Sequence, residues 1–194
     1  EKLTNFFLFV MGNFSNGYIG NSTIIAQRDT ILASGLELRR GMQFSQPVNM
    51  DGFSSFRTSL SYGFPFRLIK SNINLTGNIA YTRTPSMINA QTNLASTLLS
   101  GGGLSVSSNI SRNIDFTLSY NANYTMVENS IRPALDNNYF TQSTGLRTSF
   151  IFAKNWVWRS DASHIMYRGL GDDFNQDYIL WNMNVGRKFL KNNL

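Results

Sequence analysis

The sequence predicts an all-β chain, an antiparallel transmembrane β-barrel wall of about eight strands. Three observations predict it. Apolar and polar residues alternate over long stretches, the breaks between those stretches fall into two classes, and small polar residues and aromatics dominate the composition. A strand throws successive side chains to opposite faces, so strict alternation means one apolar face and one polar face.

The composition narrows the class. The 194 residues are 42% hydrophobic and only 14% charged, with 13% aromatics, no cysteine, one histidine and a net charge of +6. Asn and Ser each supply roughly a tenth of the chain, well above ordinary usage. No apolar run approaches the ~18 residues of a spanning helix. Without cysteine there is neither a disulfide framework nor a thiolate metal site. So many aromatics exclude intrinsic disorder.

The elements follow in chain order. Glu1-Lys2-Leu3-Thr4 lacks the basic and apolar regions of a signal peptide. Residues 6–11 are apolar on both faces, and residues 15–44 read as long strand extensions around Gln27-Arg28-Asp29-Thr30. Phe56, Leu60, Tyr62, Phe64 and Phe66 alternate with Arg57, Ser59 and Ser61. The run Arg67-Leu68-Ile69-Lys70-Ser71 is a short basic turn. Ile73, Leu75, Ile79 and Tyr81 then alternate with Asn72, Asn74, Thr76 and Asn78, before a looser break at residues 85–95. Gly101-Gly102-Gly103 reads as a bend or bulge within a strand, since no Lys-Ser/Thr follows to make a phosphate loop. Leu104, Val106 and Ile110 lead into the second basic turn, Ser111-Arg112-Asn113.

The clearest strand comes next: Phe116, Leu118, Tyr120, Ala122, Tyr124 and Met126 against Asp115, Thr117, Ser119, Asn121, Asn123 and Thr125. A loose break at 130–138 precedes a third basic turn, Ala153-Lys154-Asn155. Another loose break, 169–176, holds Asp172-Asp173. Ile179, Trp181, Met183, Val185 and Phe189 alternate with Asn182, Asn184 and Lys188, with Leu180 breaking the pattern, and Leu190-Lys191-Asn192 is the last basic turn. Basic turns recur at intervals of about 40 residues, a repeat of two strands and two connections.

A 12-residue strand rises ~40 Å and, tilted by ~45°, spans ~28 Å, the thickness of a hydrocarbon core. Phe64, Phe66, Phe150, Phe152, Trp156, Trp158 and Phe189 cluster beside the tight turns, and Tyr81, Tyr124 and Tyr167 lie toward the loose ends. Two aromatic girdles of this kind mark an outer-membrane barrel. Arg67, Lys70, Arg112, Lys154, Lys188 and Lys191 sit at tight turns, while Glu128, Asp136, Asp172, Asp173 and Asp177 sit at loose ends. A basic rim suits anionic lipid headgroups, and its spread along the turns argues against a nucleic-acid partner.

With the apolar face toward lipid, the polar face lines the lumen. The lumen-facing candidates are Arg57, Asp115, Asn121, Asn123, Arg147, Arg159 and Asp161. They can bind or steer a polar solute, or pair with one another and hold strands together. No catalytic, cofactor or metal set is assigned. Ser160 and His164 lie about 13 Å apart on one strand, too far for a nucleophile and its base. Asp172, Asp173, Asn175 and Asp177 lack the glycine and terminal Glu of an EF-hand loop.

Five segments carry a family resemblance: Gln46-Pro47-Val48-Asn49-Met50-Asp51-Gly52-Phe53, Ser61-Tyr62-Gly63-Phe64-Pro65-Phe66, Ser71-Asn72-Ile73-Asn74-Leu75, Ser108-Asn109-Ile110-Ser111-Arg112-Asn113-Ile114-Asp115-Phe116, and Phe174-Asn175-Gln176-Asp177-Tyr178-Ile179-Leu180-Trp181-Asn182 running on to Gly186-Arg187-Lys188-Phe189-Leu190-Lys191-Asn192. From residue 42 onward the chain resembles the outer-membrane β-barrel domain of TonB-dependent receptor-like proteins of Bacteroidetes. The resemblance implies a Gram-negative outer-membrane location and a barrel of about 22 strands, of which residues 1–194 form a partial domain. It also implies a plug domain and the TonB system as partners of the complete protein, outer-membrane lipids around it, and a nutrient ligand of unknown identity. Two rival readings stand beside it: a small closed eight-stranded barrel acting as anchor or adhesin, and a soluble β-sheet binding protein.

Overall fold

In the computed structural model, residues 4–108, 111, 113–153, 155–169, 171 and 174–188 are described. The expectations resting on residues 1–3, Asn109, Ile110, Arg112, Lys154, Asp172, Asp173, Phe189, Leu190, Lys191 and Asn192 lie outside them. The strands in chain order are β1 (Asn5–Ser15), β2 (Tyr18–Ile25), β3 (Thr30–Ile31), β4 (Glu37–Leu38), β5 (Gln43–Met50), β6 (Phe53–Phe66), β7 (Ser71–Ile88), β8 (Gln91–Ser108), β9 (Ile114–Asn129), β10 (Asn137–Phe152), β11 (Trp156–Arg168) and β12 (Gln176–Arg187). Single 3₁₀ turns, Arg67–Ile69 and Pro133–Leu135, are the described helical pieces.

The protein is all-β, and ten of the strands form one sheet. Eight follow one path, β1-β6-β7-β8-β9-β10-β11-β12, each antiparallel to its neighbour. Among the described residues β1 pairs with β6 and β12 with β11, and the two do not pair with each other. Among the described residues the sheet is therefore open and does not close as a barrel.

Alternation translates into two unlike faces. One row of paired residues runs Asn72, Ser107, Thr117, Arg147, Asp161, Asn182, all on the polar face. Another runs Leu75, Leu104, Tyr120, Thr144, His164, Ile179 on the other face. Among the described residues, nothing covers that second face. Leu60, Leu75, Leu104, Leu118 and Leu146, one on each of β6 to β10, are each about two-fifths exposed (41%, 43%, 39%, 41% and 43%). Total accessible surface is 14252 Å², against roughly 9,300 Å² for a compact protein of this mass.

What core exists lies above the long strands, around the β2–β5 hairpin. Ala26, Leu38 and Met50 are buried there, and Pro85 is fully buried. The hairpin continues β1 and β6 in unbroken register, since Ser15 faces Phe53 and Tyr18 faces Met50. Between them the pair makes a half turn: below it β6 adjoins β7, above it β2 does, through parallel pairing of Ser22 with Met87 and Thr23 with Ile88. Gly17 (φ 77°) and Gly52 (φ 95°) supply the left-handed backbone that this twist needs. Asp51 Oδ1 accepts the Gly17 N–H at 2.8 Å, and Tyr18 stacks on Phe53 with ring centroids 4.6 Å apart. The sequence foresaw strand extensions here, but the exchange of sides rests on contacts far apart in the chain.

Pro85 marks the changeover, because a residue without N–H is tolerated where β6 has ended and β2 begins. β2 can cross there because Gly20 has no side chain: a Cβ on it would meet the Pro85 carbonyl oxygen at 2.8 Å. Gly20→Ala is expected to free the hairpin from β7. Limited proteolysis should then cut residues 18–50 at least several-fold faster while β7–β12 stay protected.

Two sequence expectations are corrected. The break at residues 85–95 is no loose loop: β7 and β8 each run 18 residues and meet in a two-residue turn, Asn89-Ala90, with φ 48° and 64°. Such a turn matches strand twist but favours Asn-Gly, and Ala in the second place hid it. The Asn89 side chain accepts the Ile25 N–H at 2.7 Å, which ties the turn to β2. Ala90→Gly is expected to raise stability by about 0.5–1 kcal/mol, read as a higher denaturant midpoint. Gly101-Gly102-Gly103 makes no bulge either. The β7–β8 and β8–β9 registers pass through it without a step.

Candidate functional site

All seven lumen candidates share the polar face, but they form three separate groups. Asp115, Arg147, Arg159 and Asp161 come together with Thr117, Ser149, Asn182 and Asn184 around an open trough of about 420 Å³. Two rows build it. Thr117, Arg147, Asp161 and Asn182 form one; Asp115, Ser149, Arg159 and Asn184 form the next, toward the tight turns. Arg147 donates Nε–H to Asp161 Oδ2 at 2.9 Å. With those side chains 77% and 44% exposed, the pair contributes at most about 1 kcal/mol. Asp115 accepts the Ser108 hydroxyl at 3.2 Å. Ser149, Asn182 and Asn184 complete the trough, and only the strand register reveals that they belong to it.

Asn121 and Asn123 form the second group, lining a smaller hollow of about 160 Å³ with Thr141, Ser143, Ile165 and Tyr167. Here the glycines find their use. A Cβ on Gly101 would meet Asn123 Oδ1 at 2.0 Å, and one on Gly103 would meet Asn121 Oδ1 at 2.4 Å. The two amides therefore lie down over β8 instead of standing away from the sheet. Asn5 lies on Gly63 in the same manner. Tyr167 pairs with Thr141 and so faces this hollow. Its expected place in a girdle beside Tyr81 and Tyr124 is wrong, because it sits at an odd step of the alternation. Arg57 stands apart, beside Met11 and Ala80, roughly 30 Å along the sheet from Arg147.

Toward its loose end the apolar face carries the polar row Arg83, Ser96, Glu128 and a hydrogen-bonded cluster on β11 and β12. His164 Nε2 lies 2.7 Å from Asp177 Oδ1, and Arg168 donates to Asp177 Oδ2 at 3.0 Å. Ser160 Oγ accepts the Trp181 indole N–H at 2.8 Å, so Ser160 and His164 have separate partners. Asn175 Oδ1 accepts the Gly169 N–H, and Asp177 belongs to β12, which breaks up the calcium-loop run. Among the described residues no three His, Cys, Asp or Glu side chains group to hold a metal ion.

Charge is less one-sided than the sequence suggested. Arg67, Lys70 and Lys188 do lie at tight ends, but Arg83, Arg132 and Arg168 accompany Glu128, Asp136 and Asp177 at the loose ends. The loose ends are mixed in sign.

The fold and site therefore define a class, an open antiparallel β-wall with one bare apolar face and one charged, amide-rich face. A scan of family models and searches of curated proteins and solved structures find no match to this chain.

Proposed function

We propose that this chain is a wall segment of an outer-membrane β-barrel of the TonB-dependent receptor-like kind, with its apolar face against lipid and its polar face lining a conduit for a polar solute. One observation carries the reading: the apolar band and the turns follow the same slope across the sheet. The row through Pro65 and Asn72 lies one residue from the ends of β6 and β7. By β10 and β11 the same row, at Arg147 and Asp161, lies five residues from the ends. The turns thus drop four residues over four strand spacings, a tilt of about 35°, which matches barrel strands.

The leucines drop equally. Leu75 faces Leu104 and Leu118 faces Leu146; Leu60 is two residues above the first row, and the second row is two below it. An apolar band parallel to the plane of the turns is what a flat slab of hydrocarbon selects. A soluble partner imposes no such slope. Aromatics edge the band: Phe150 stacks on Trp158 at 5.3 Å, and the Arg187 guanidinium lies 5.8 Å over Trp156. Phe116 and Tyr124 on β9 are separated by about 22 Å across the tilted slab, near the ~25 Å height of an outer-membrane band.

Transport, energy coupling and the plug belong to the proposal through the family resemblance of the five sequence segments. The test is folding into bilayers. Refolded with phosphatidylcholine vesicles, the chain should float with them and become protease-resistant. A folded, vesicle-free monomer in plain buffer would contradict the proposal and favour a soluble β-sheet binder.

A further inference from the structure

Within that conduit reading, on which it rests, we infer that the trough is a binding site for a small zwitterionic solute, a short peptide with free termini. Asp115 and Arg159 flank Ser149 in one row, one strand away on each side. Their backbones stand about 10 Å apart. Arg147 and Asp161 pair with each other in the next row. Among the described residues, Arg159 has no hydrogen-bond or ion-pair partner, and Asp115 holds only the Ser108 hydroxyl. One acceptor of an ammonium and one donor to a carboxylate therefore face each other across a polar floor.

Three features make this more than two stray charges. The chain is poor in charge, at 14%, yet four charged side chains line this trough. The trough's volume of about 420 Å³ lies within the range of small-molecule sites, about 300–1,000 Å³. Asn182 and Asn184 project from β12 on the same side and offer amide donors and acceptors to peptide groups between the two ends. An anion alone would meet Asp115, and a cation alone would meet Arg159. A ligand carrying both charges in the matching order satisfies both, and a bidentate guanidinium–carboxylate contact fixes its direction.

The test uses the full chain folded in detergent micelles, titrated calorimetrically with triglycine, N-acetyl-triglycine and triglycine amide. Triglycine should bind at least tenfold tighter than either blocked form. Asp115→Asn should erase the preference for triglycine over N-acetyl-triglycine while keeping that over the amide, and Arg159→Gln should do the reverse. This crossed pattern separates recognition from general loss of fold, which heat-modifiable migration in gels checks independently. Equal affinities for the three probes, or no binding by a chain that floats with vesicles, would overturn the inference and leave the membrane reading intact. Failure to associate with vesicles would instead overturn the membrane reading.

Discussion

Leu104→Arg is expected to destabilise the folded, bilayer-inserted chain by about 2–4 kcal/mol, the cost of a cation at the midplane of a lipid-facing surface. Ser105→Arg, one residue along, is expected to stay within about 0.5 kcal/mol of the parent. Leu104 lies in the middle of the apolar band, opposite Leu75 and Tyr120, and is 39% exposed. Ser105 lies on the other face between Asn74 and Ser119, where an arginine points into water. The two substitutions share chemistry, strand and backbone environment, so only the face differs. Urea titrations in vesicles measure both. Equal effects at the two positions would mean that the faces are not solvated differently.

Gly169→Ala carries the second large effect, a loss of about 3 kcal/mol. Gly169 follows β11 with φ 93°, and a Cβ there would meet the Asn138 carbonyl oxygen at 2.3 Å and the Tyr139 Cα at 3.2 Å. Those are backbone atoms and cannot swing aside. The Gly169 N–H also donates to Asn175 at 2.9 Å, so a shift would loosen the β11–β12 connection. Gly171→Ala is the matched control. Its φ of 95° is just as left-handed, but the nearest atom to a new Cβ is the Phe174 ring at 4.0 Å. It should cost only about 1–2 kcal/mol, the conformational part alone. Equal losses would show that the contact with β10 contributes nothing.

The long strands were readable because alternation is local. From Phe56 to Phe66 and from Asp115 to Met126 the period of two is nearly unbroken, and together with the alternation along β10 and β11 it put all seven candidates on the polar face. Register was not readable, and register decides what meets what. It gathers Asp115, Arg147, Arg159 and Asp161 into one trough, sets Arg57 far off, and adds Asn182 and Asn184 from a strand late in the chain. Tyr167 misled because its aromatic character suggested a girdle, while its odd position puts it on the polar face. Ala90 misled because a turn that prefers glycine was made with alanine. The glycine run at Gly101-Gly102-Gly103 looked like a defect in β8, but its purpose lies on β9, where the Asn121 and Asn123 amides need room. The crown formed by β2 and β5 depends on a half turn that no period in the sequence encodes.

The apolar face has a built-in probe, since the three tryptophans, Trp156, Trp158 and Trp181, all lie on it. Trp181 is 64% exposed near mid-band, opposite Ala162, while Trp156 and Trp158 lie at the tight-turn edge. Variants retaining one tryptophan each, folded into vesicles of chain-brominated phosphatidylcholine, measure depth by quenching. Burial of the apolar face in lipid predicts strong quenching of all three, with Trp181 most affected by bromines deep in the chains and Trp156 by shallow ones. Emission that brominated lipid leaves unchanged and aqueous iodide quenches would place the apolar face outside the bilayer and contradict it.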